Sequence, residues 1–327
     1  MNKDILPESV IRSSEAFGFS NALAGEDGLI GIYLQAAAGS VLVRGGFAGA
    51  QWIYSAGISD EDQSFIHSVI RRLDDIIDLD FAFVQSSDLA DIVIYYDTKI
   101  ELGGDERVLG LAVMTSGGWE IFINYPEVAN DEEYRKYVNV HEIGHALGLE
   151  HPFDDSDGDL YSGTTDPWAS AFPEQTVMAY REPVAGVWPD FFTLSDLNVL
   201  TDDWGVEHRW LTDAHDEFAG QAYDEIVTGL GGHDRIYTLG GDDWIDGGLG
   251  DDLIWGGDGA DVFRLSQGFD WIVDFSYGEG DRIEFPSDLA YTLTEVNGNL
   301  QISSSLGVTS LTAVTASQFP FEARIPV

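Results

Sequence analysis

The sequence predicts an α+β chain in two parts, a twisted mixed sheet with helices followed by an all-β parallel roll or sandwich. Three observations carry that expectation. Residues 59–147 switch between helical and strand periodicities, "HEIGHALGLEH" at 141–151 closes a long helical run with three histidines, and from Gly229 to Arg264 the chain repeats every nine residues. The expected division is an N-terminal segment at 1–50, a mixed domain at 51–210 and an all-β domain at 211–327, because the composition turns rich in glycine and aspartate between about 206 and 218.

Residues 1–50 show no clean period and read either as a pro-segment or as an extra layer on the core. Within them "GLIGIYLQAAAG" (28–39) follows Glu26 and Asp27 instead of a basic region, which argues for folded structure over an export signal. Extended through Val43 it takes in Gln35 and Ser40 and stays short of the ~18 apolar residues that suggest a membrane span. Ser59 and Asp62 form a cap for a helix whose apolar residues Phe65, Ile66, Val69, Ile70, Leu73, Ile76 and Ile77 share one face. Short apolar runs at 81–84, 91–96, 109–114 and 119–125 read as strands, the last two joined as a hairpin through Gly117 and Gly118. A second helix is expected from a capping box at Asn130 and Glu133, with Tyr134, Val138, His141 and His145 on one face. After His151 a stretch rich in Asp, Gly, Ser and Pro reads as a loop, and Ser195 is expected to cap a short helix ending near Gly205.

The chain of 327 residues carries 58 acidic against 15 basic side chains, a formal charge of -43. Nucleic acid and anionic membranes reward lysine and arginine, so this balance excludes them and favours cations. Part of the excess serves as a solvated, self-repelling surface. Cysteine is absent, which removes disulfides and thiolate metal sites and leaves bound metal as the available staple.

The histidines of 141–151 are spaced by four and then six residues. His141 and His145 share a helical face and can each approach one ion at ~2.1 Å, but six further residues of helix would carry His151 ~9 Å along the axis. Gly148 resolves the mismatch: it can take the left-handed conformation that ends a helix, so the chain doubles back and His151 can reach the same point. Three imidazoles and one open position describe a catalytic zinc site, where a bound water has its pKa lowered toward ~7. Glu142, one step around the helix, is displaced from the ligand set and placed to act as general base. Three of the chain's seven histidines fall in this window, whereas His67, His208, His215 and His233 have no comparable partners and read as ordinary surface or core residues.

The nine-residue repeats run "GLGGHDRIY", "TLGGDDWID", "GGLGDDLIW", "GGDGADVFR". An aspartate recurs at the sixth position (Asp234, Asp243, Asp252, Asp261) and an apolar residue at the eighth (Ile236, Ile245, Ile254, Phe263). Glycines turn the backbone so that carbonyls and carboxylates of neighbouring turns surround calcium while the apolar residue faces a core. The expected calcium residues are Gly232, Asp234, Gly241, Asp243, Gly248, Gly250, Asp252, Gly257, Gly259 and Asp261, with two repeats per turn, so that Asp234 stacks over Asp252 and Asp243 over Asp261. The run Asp154 to Asp159 reads as a solvated loop or a further calcium site.

With these residues in view, "HEIGHALGLEH" resembles the HExxHxxGxxH signature of the metzincin metalloproteases. "TVMAYRE" is similar to their methionine turn, and its pairing with the repeats resembles the serralysin branch and other RTX secreted proteins. The resemblance covers roughly residues 50–285 and departs in the "PFDDSDGD" loop and in the first fifty residues, where no pro-segment motif stands. It implies a metzincin catalytic domain with an active-site helix, Met178 as a floor under the zinc and Tyr180 as a stabiliser of the oxyanion. It also implies a substrate lying extended along the edge near Leu109 to Met114. Export would proceed through type I secretion machinery by an uncleaved C-terminal signal, to an extracellular location. The expected partners are protein or peptide substrates and that machinery, with no nucleic acid, no membrane span and a monomeric chain. The expected activity is that of a zinc-dependent, calcium-stabilised endopeptidase. Two other readings stand beside it, a calcium-dependent surface or adhesion protein with an inactive protease domain and a hydrolase of a non-protein amide.

Overall fold

The computed structural model describes residues 5–25, 27–45, 50–98, 108–155, 159–286, 289–320 and 323–326. The chain divides into two compact units, Met1–Gly205 and Val206–Val327. The first contains α1 (Ser14–Ala24), β1 (Leu29–Leu34), β2 (Gly39–Val43), β3 (Gln51–Ser55), α2 (Asp60–Asp74), β4 (Asp80–Phe83) and β5 (Ile92–Asp97). It continues with β6 (Gly110–Thr115), β7 (Gly118–Asn124), α3 (Tyr125–Val128), α4 (Glu132–Leu147) and α5 (Leu194–Trp204).

Strands β4, β1, β5 and β7 pair in parallel, and β6 folds back antiparallel on β7 through a tight turn that matches Thr115 with Gly118. The β2–β3 ribbon adds to this sheet at a single pair, Ser55 with Asp97. β5 is buried along its whole length, as a parallel strand covered on both faces must be. Among the described residues β6 pairs only with β7, which leaves its other edge open.

Helix α2 forms where its periodicity places it: the Ser59 side chain accepts from the Asp62 amide, and Ile66, Val69, Ile70 and Leu73 are buried. Asp62 also meets Arg135 of α4 at 3.0 Å in a buried pair that ties the two helices together. Two caps differ from expectation. Helix α4 starts at the Asp131 side chain, which accepts from Tyr134, so Asn130 lies outside the cap; aspartate suits this position because its charge faces the helix N-terminus. Helix α5 is capped by Thr193 and Asp196, while Ser195 turns inward to accept from the Leu6 amide.

Residues 5–24 are integrated into this unit. Arg12 bridges to Leu149, the Ser13 amide donates to the Gly148 carbonyl at 2.6 Å, and the Glu150 amide donates to the Ile11 carbonyl at 2.9 Å. Ser20 of α1 donates to the Ala146 carbonyl at 2.6 Å, so the end of α4 is held from below. No helix among the described residues is long and apolar enough to cross a membrane.

The second unit is a parallel β-roll. Its strands are β8 (His208–Trp210), β9 (Glu217–Ala219), β10 (Ile226–Thr228), β11 (Arg235–Tyr237), β12 (Trp244–Asp246), β13 (Leu253–Trp255) and β14 (Val262–Arg264). They continue with β15 (Gly268–Ile272), β16 (Arg282–Phe285), β17 (Tyr291–Val296), β18 (Asn299–Ser304), β19 (Gly307–Leu311) and β20 (Arg324–Pro326). One sheet runs β20-β16-β14-β12-β10-β8 and the other β17-β18-β19-β15-β13-β11-β9. From β8 to β16 successive strands alternate between sheets, so Ile236 pairs with Ile254 and Ile245 with Phe263, eighteen residues apart. Their side chains fill the space between the sheets with Val227, Ile272 and Ile283. The ladder is longer than the four repeats read from the sequence. Asp216 with Phe218, Glu225 with Val227, and Asp270 with Ile272 hold the same register without the full glycine pattern.

Candidate metal centres

The C-terminal end of α4 brings His141 and His145 to one face, and Gly148, in the left-handed region at φ 113°, ends the helix. The chain then turns so that the His151 Nε2 lies 3.2 Å from that of His141 and 3.1 Å from that of His145. The other ring nitrogens are committed to carbonyls. His141 Nδ1 lies 2.7 Å from the Val177 oxygen and His145 Nδ1 lies 2.9 Å from the Leu149 oxygen, so each must carry its proton there and leave Nε2 as a lone pair. Burial depresses the pKa of His141 to about 3 and of His145 to about 4, and holds His151 well below the usual value, which keeps the rings neutral. Neutral imidazoles with converging lone pairs at this separation fit a borderline cation such as zinc, and the carbonyl partners fix the tautomer as outer-shell groups do.

Glu142, one step around the helix from His141, is 5% exposed and its carboxylate lies against Gly110 of β6. The Ala112 amide donates to its carboxylate, and burial lifts its pKa to about 8 against that bond. Gly110 makes this approach possible, since a Cβ there would collide with the Glu142 carboxylate. A glycine inside a strand pattern marks such a close approach, which is the signal that was available in the sequence.

Met178 is fully buried beneath α4, its sulfur 2.9 Å from where a Cβ on Gly144 would stand. Tyr180 is partly exposed, with its ring centroid 5.6 Å from His141 and 4.8 Å from His151, and burial holds its pKa well above the ordinary phenol value. A cleft of about 650 Å³ joins these groups, lined by Gly110, His141, Glu142 and Tyr180 and by the aromatic side chains of Tyr134, Tyr137, Trp168 and Trp188.

Asp196 supports the site in a way that no motif or period reveals. This buried carboxylate of α5 accepts from Thr193 through both amide and hydroxyl, and also from the Thr176 hydroxyl at 2.5 Å and the Val177 amide at 3.0 Å. It thereby fixes the segment whose Val177 carbonyl orients His141. "TLSD" shows the cap; its reach to Thr176 and Val177, twenty residues upstream, follows only from the fold.

In the roll, each sixth-position aspartate accepts an amide from the turn before it. Asp234 accepts from Asp216, Asp252 from Asp234, Asp243 from Glu225 and Asp261 from Asp243, at 2.8 to 3.0 Å. The second oxygen of all four is buried and has no hydrogen-bond partner among the described residues. A buried carboxylate oxygen without a donor is expensive unless a cation takes it. The space around it is kept by glycine, because a Cβ at Gly229 or Gly247 would stand 2.8 or 2.6 Å from the orphan oxygen of Asp234 or Asp252. Gly232, Gly241, Gly250 and Gly259 adopt φ between 113° and 142°, and Gly248 and Gly257 lie at 87° and 99°. Hard, oxygen-seeking calcium fits this donor set. The Asp154 to Asp159 run lies partly outside the described residues, at 156–158.

A family profile described as the RTX calcium-binding nonapeptide repeat, in four copies, matches residues 219–254 and 240–272. The chain therefore carries RTX calcium-binding repeats, which are typical of secreted proteins. No curated protein matches the chain. Among solved structures it is similar to the AlgE6R3 subunit of the Azotobacter vinelandii mannuronan C5-epimerase, at 26% identity over 35% of this chain and 78% of that one, TM-score 0.29. It is similar also to the extracellular lipase LipA from Serratia marcescens, at 18% identity over 35% of this chain and 20% of that one, TM-score 0.29.

Proposed function

We propose that the chain is a secreted zinc endopeptidase whose roll is folded by calcium. The observation that carries this reading is the convergence of three neutral Nε2 lone pairs beside a buried carboxylate that is not part of their cluster. Bound on His141, His145 and His151, zinc would supply Lewis acidity, which acidifies water and polarises a carbonyl. The open edge of β6 pairs with an extended peptide and lays its scissile bond across the mouth of the cleft. Glu142, aimed by the Ala112 amide and ionised at neutral pH once a neighbouring cation would offset its burial, accepts a proton from the attacking water as the new carbon–oxygen bond forms, and returns it to the amine as the carbon–nitrogen bond breaks. Tyr180, whose ring lies beside His141 and His151, donates to the oxyanion. The aromatic lining of the cleft receives a neighbouring substrate side chain.

Replacing Glu142 with Gln should lower the hydrolysis of a fluorogenic peptide by roughly 10²–10⁴-fold while bound zinc, counted by atomic absorption, stays the same. Activity retained in that variant sinks the role of Glu142. If the zinc-loaded native chain cleaves no member of a peptide library, the surface-protein reading takes its place.

A further inference from the structure

The sixth-position carboxylates form one ladder, yet its ends are built differently from its middle. At Asp234, Asp243, Asp252 and Asp261 the second oxygen is an orphan, and these side chains are 0 to 1% exposed. Beyond them the same oxygen finds a donor within its own turn. Asp216 accepts from the amide and hydroxyl of Thr212 at 2.9 and 2.7 Å, and Glu225 accepts from the Gln221 amide at 3.1 Å. At the other end Asp270 accepts from the Ser266 hydroxyl at 2.9 Å and Asp281 from the Ser276 amide at 2.7 Å. The rung-to-rung bond is common to both classes: the Asp252 amide donates to Asp270 and the Asp261 amide to Asp281, at 3.2 and 3.1 Å.

We propose that calcium binding in the roll is confined to the four central carboxylates, and that Asp216, Glu225, Asp270 and Asp281 are metal-independent caps. A protein donor occupies in each cap the lone pair that a cation occupies in the middle, so the caps have no oxygen left in need of one. The local hydrogen bonds of the end turns form without metal, and the calcium-dependent part of the roll is the stretch between them. The inference rests on the calcium reading of the repeats and is independent of the zinc site.

The test compares Asp→Asn variants of the full chain by equilibrium dialysis with radiolabelled calcium and by the calcium midpoint of the far-ultraviolet circular dichroism change. Asp252→Asn and Asp243→Asn should each lose at least one ion and raise the midpoint about tenfold or more. Asp216→Asn and Asp270→Asn should keep the native ion count, with a midpoint within about threefold of native, because amide and hydroxyl can reproduce the local bond. A lost ion in Asp216→Asn or Asp270→Asn overturns the assignment, as does an unchanged count in both central variants. If Asp270→Asn does not fold at any calcium concentration, Asp216, half exposed at the opposite end, decides the matter with the same readouts.

Discussion

In the first unit three imidazoles from an eleven-residue window meet at one point, whereas in the second four carboxylates are spaced nine residues apart along a ladder. Burial acts on them in opposite ways. It drives the histidines toward their neutral form, in which they can sit close together without metal, and it drives the aspartates toward protonation, because burial strips their charge of water. A site of neutral ligands can therefore be built before its ion arrives. A ladder of orphaned carboxylates at neutral pH cannot, so calcium contributes to folding itself.

The largest expected effect breaks or keeps this contrast directly. Each unpartnered buried carboxylate costs several kcal/mol, so chelating calcium at pH 8 should lower the thermal transition of the roll by more than about 20 °C or abolish it. A zinc chelator should shift the transition of the first unit by only a few degrees, about what a single well-bound ligand contributes. Calorimetry with each chelator checks both, and equal shifts would dissolve the comparison.

Next in size is the support behind His141. Asp196 takes four donors, two of them from the segment that carries the Val177 carbonyl. Asp196→Ala should destabilise the first unit by about 3–5 kcal/mol, through buried donors left unpaired, and weaken zinc binding by about 10–100-fold. Denaturant unfolding and competition with a zinc indicator separate the two effects. Unchanged zinc affinity in the folded variant would mean that the Val177 carbonyl does not orient His141.

The contrast also has a sign in pH. In the metal-free roll burial raises Asp243 to about 8, Asp261 to about 7 and Asp252 to about 6, all above the ordinary carboxylate range. The folded roll then holds more protons than the unfolded chain between about pH 4 and 8, so its stability is full below that window and falls as pH rises through it. Urea unfolding in a calcium chelator should show the roll more stable at pH 5 than at pH 8, and added calcium should restore the loss at pH 8. Stability rising with pH in the chelator would contradict the orphaned state of these oxygens.

Legibility in the sequence followed the same divide. Periodicity alone places α2 from Ser59, the β6–β7 hairpin at Gly117–Gly118, and the stacking of Asp234 on Asp252, because each depends on neighbours in the chain or on a strict repeat. Asp216, Glu225 and Asp270 hold the ladder register without the glycines that advertise it, so the roll reads shorter than it is. The caps of α4 and α5 were displaced by one or two residues, since Asn130 and Asp131, or Thr193 and Ser195, are all competent caps and tertiary contacts choose among them. What Asp196 does was hidden because its partners Thr176 and Val177 are distant in the chain.

The smallest effect comes from where the repeats depart from glycine. At the second position Gly248 and Gly257 adopt φ 87° and 99°, and Leu230 and Leu239 take φ 64° and 72° at the same place in the first two repeats. The roll therefore imposes left-handed geometry whatever residue stands there, and leucine bears a strain of about 1–2 kcal/mol in it. Leu239 is 58% exposed, so removing its side chain forfeits little burial. Leu239→Gly should gain about 0.5–1 kcal/mol, the relief of strain less the added freedom of glycine in the unfolded chain. The calcium midpoint should fall by a few fold in step with that gain, because ion binding and folding of the roll are coupled. A raised midpoint would mean that the leucine contributes packing beyond its exposed area, and that the irregular repeats are held by more than backbone and calcium.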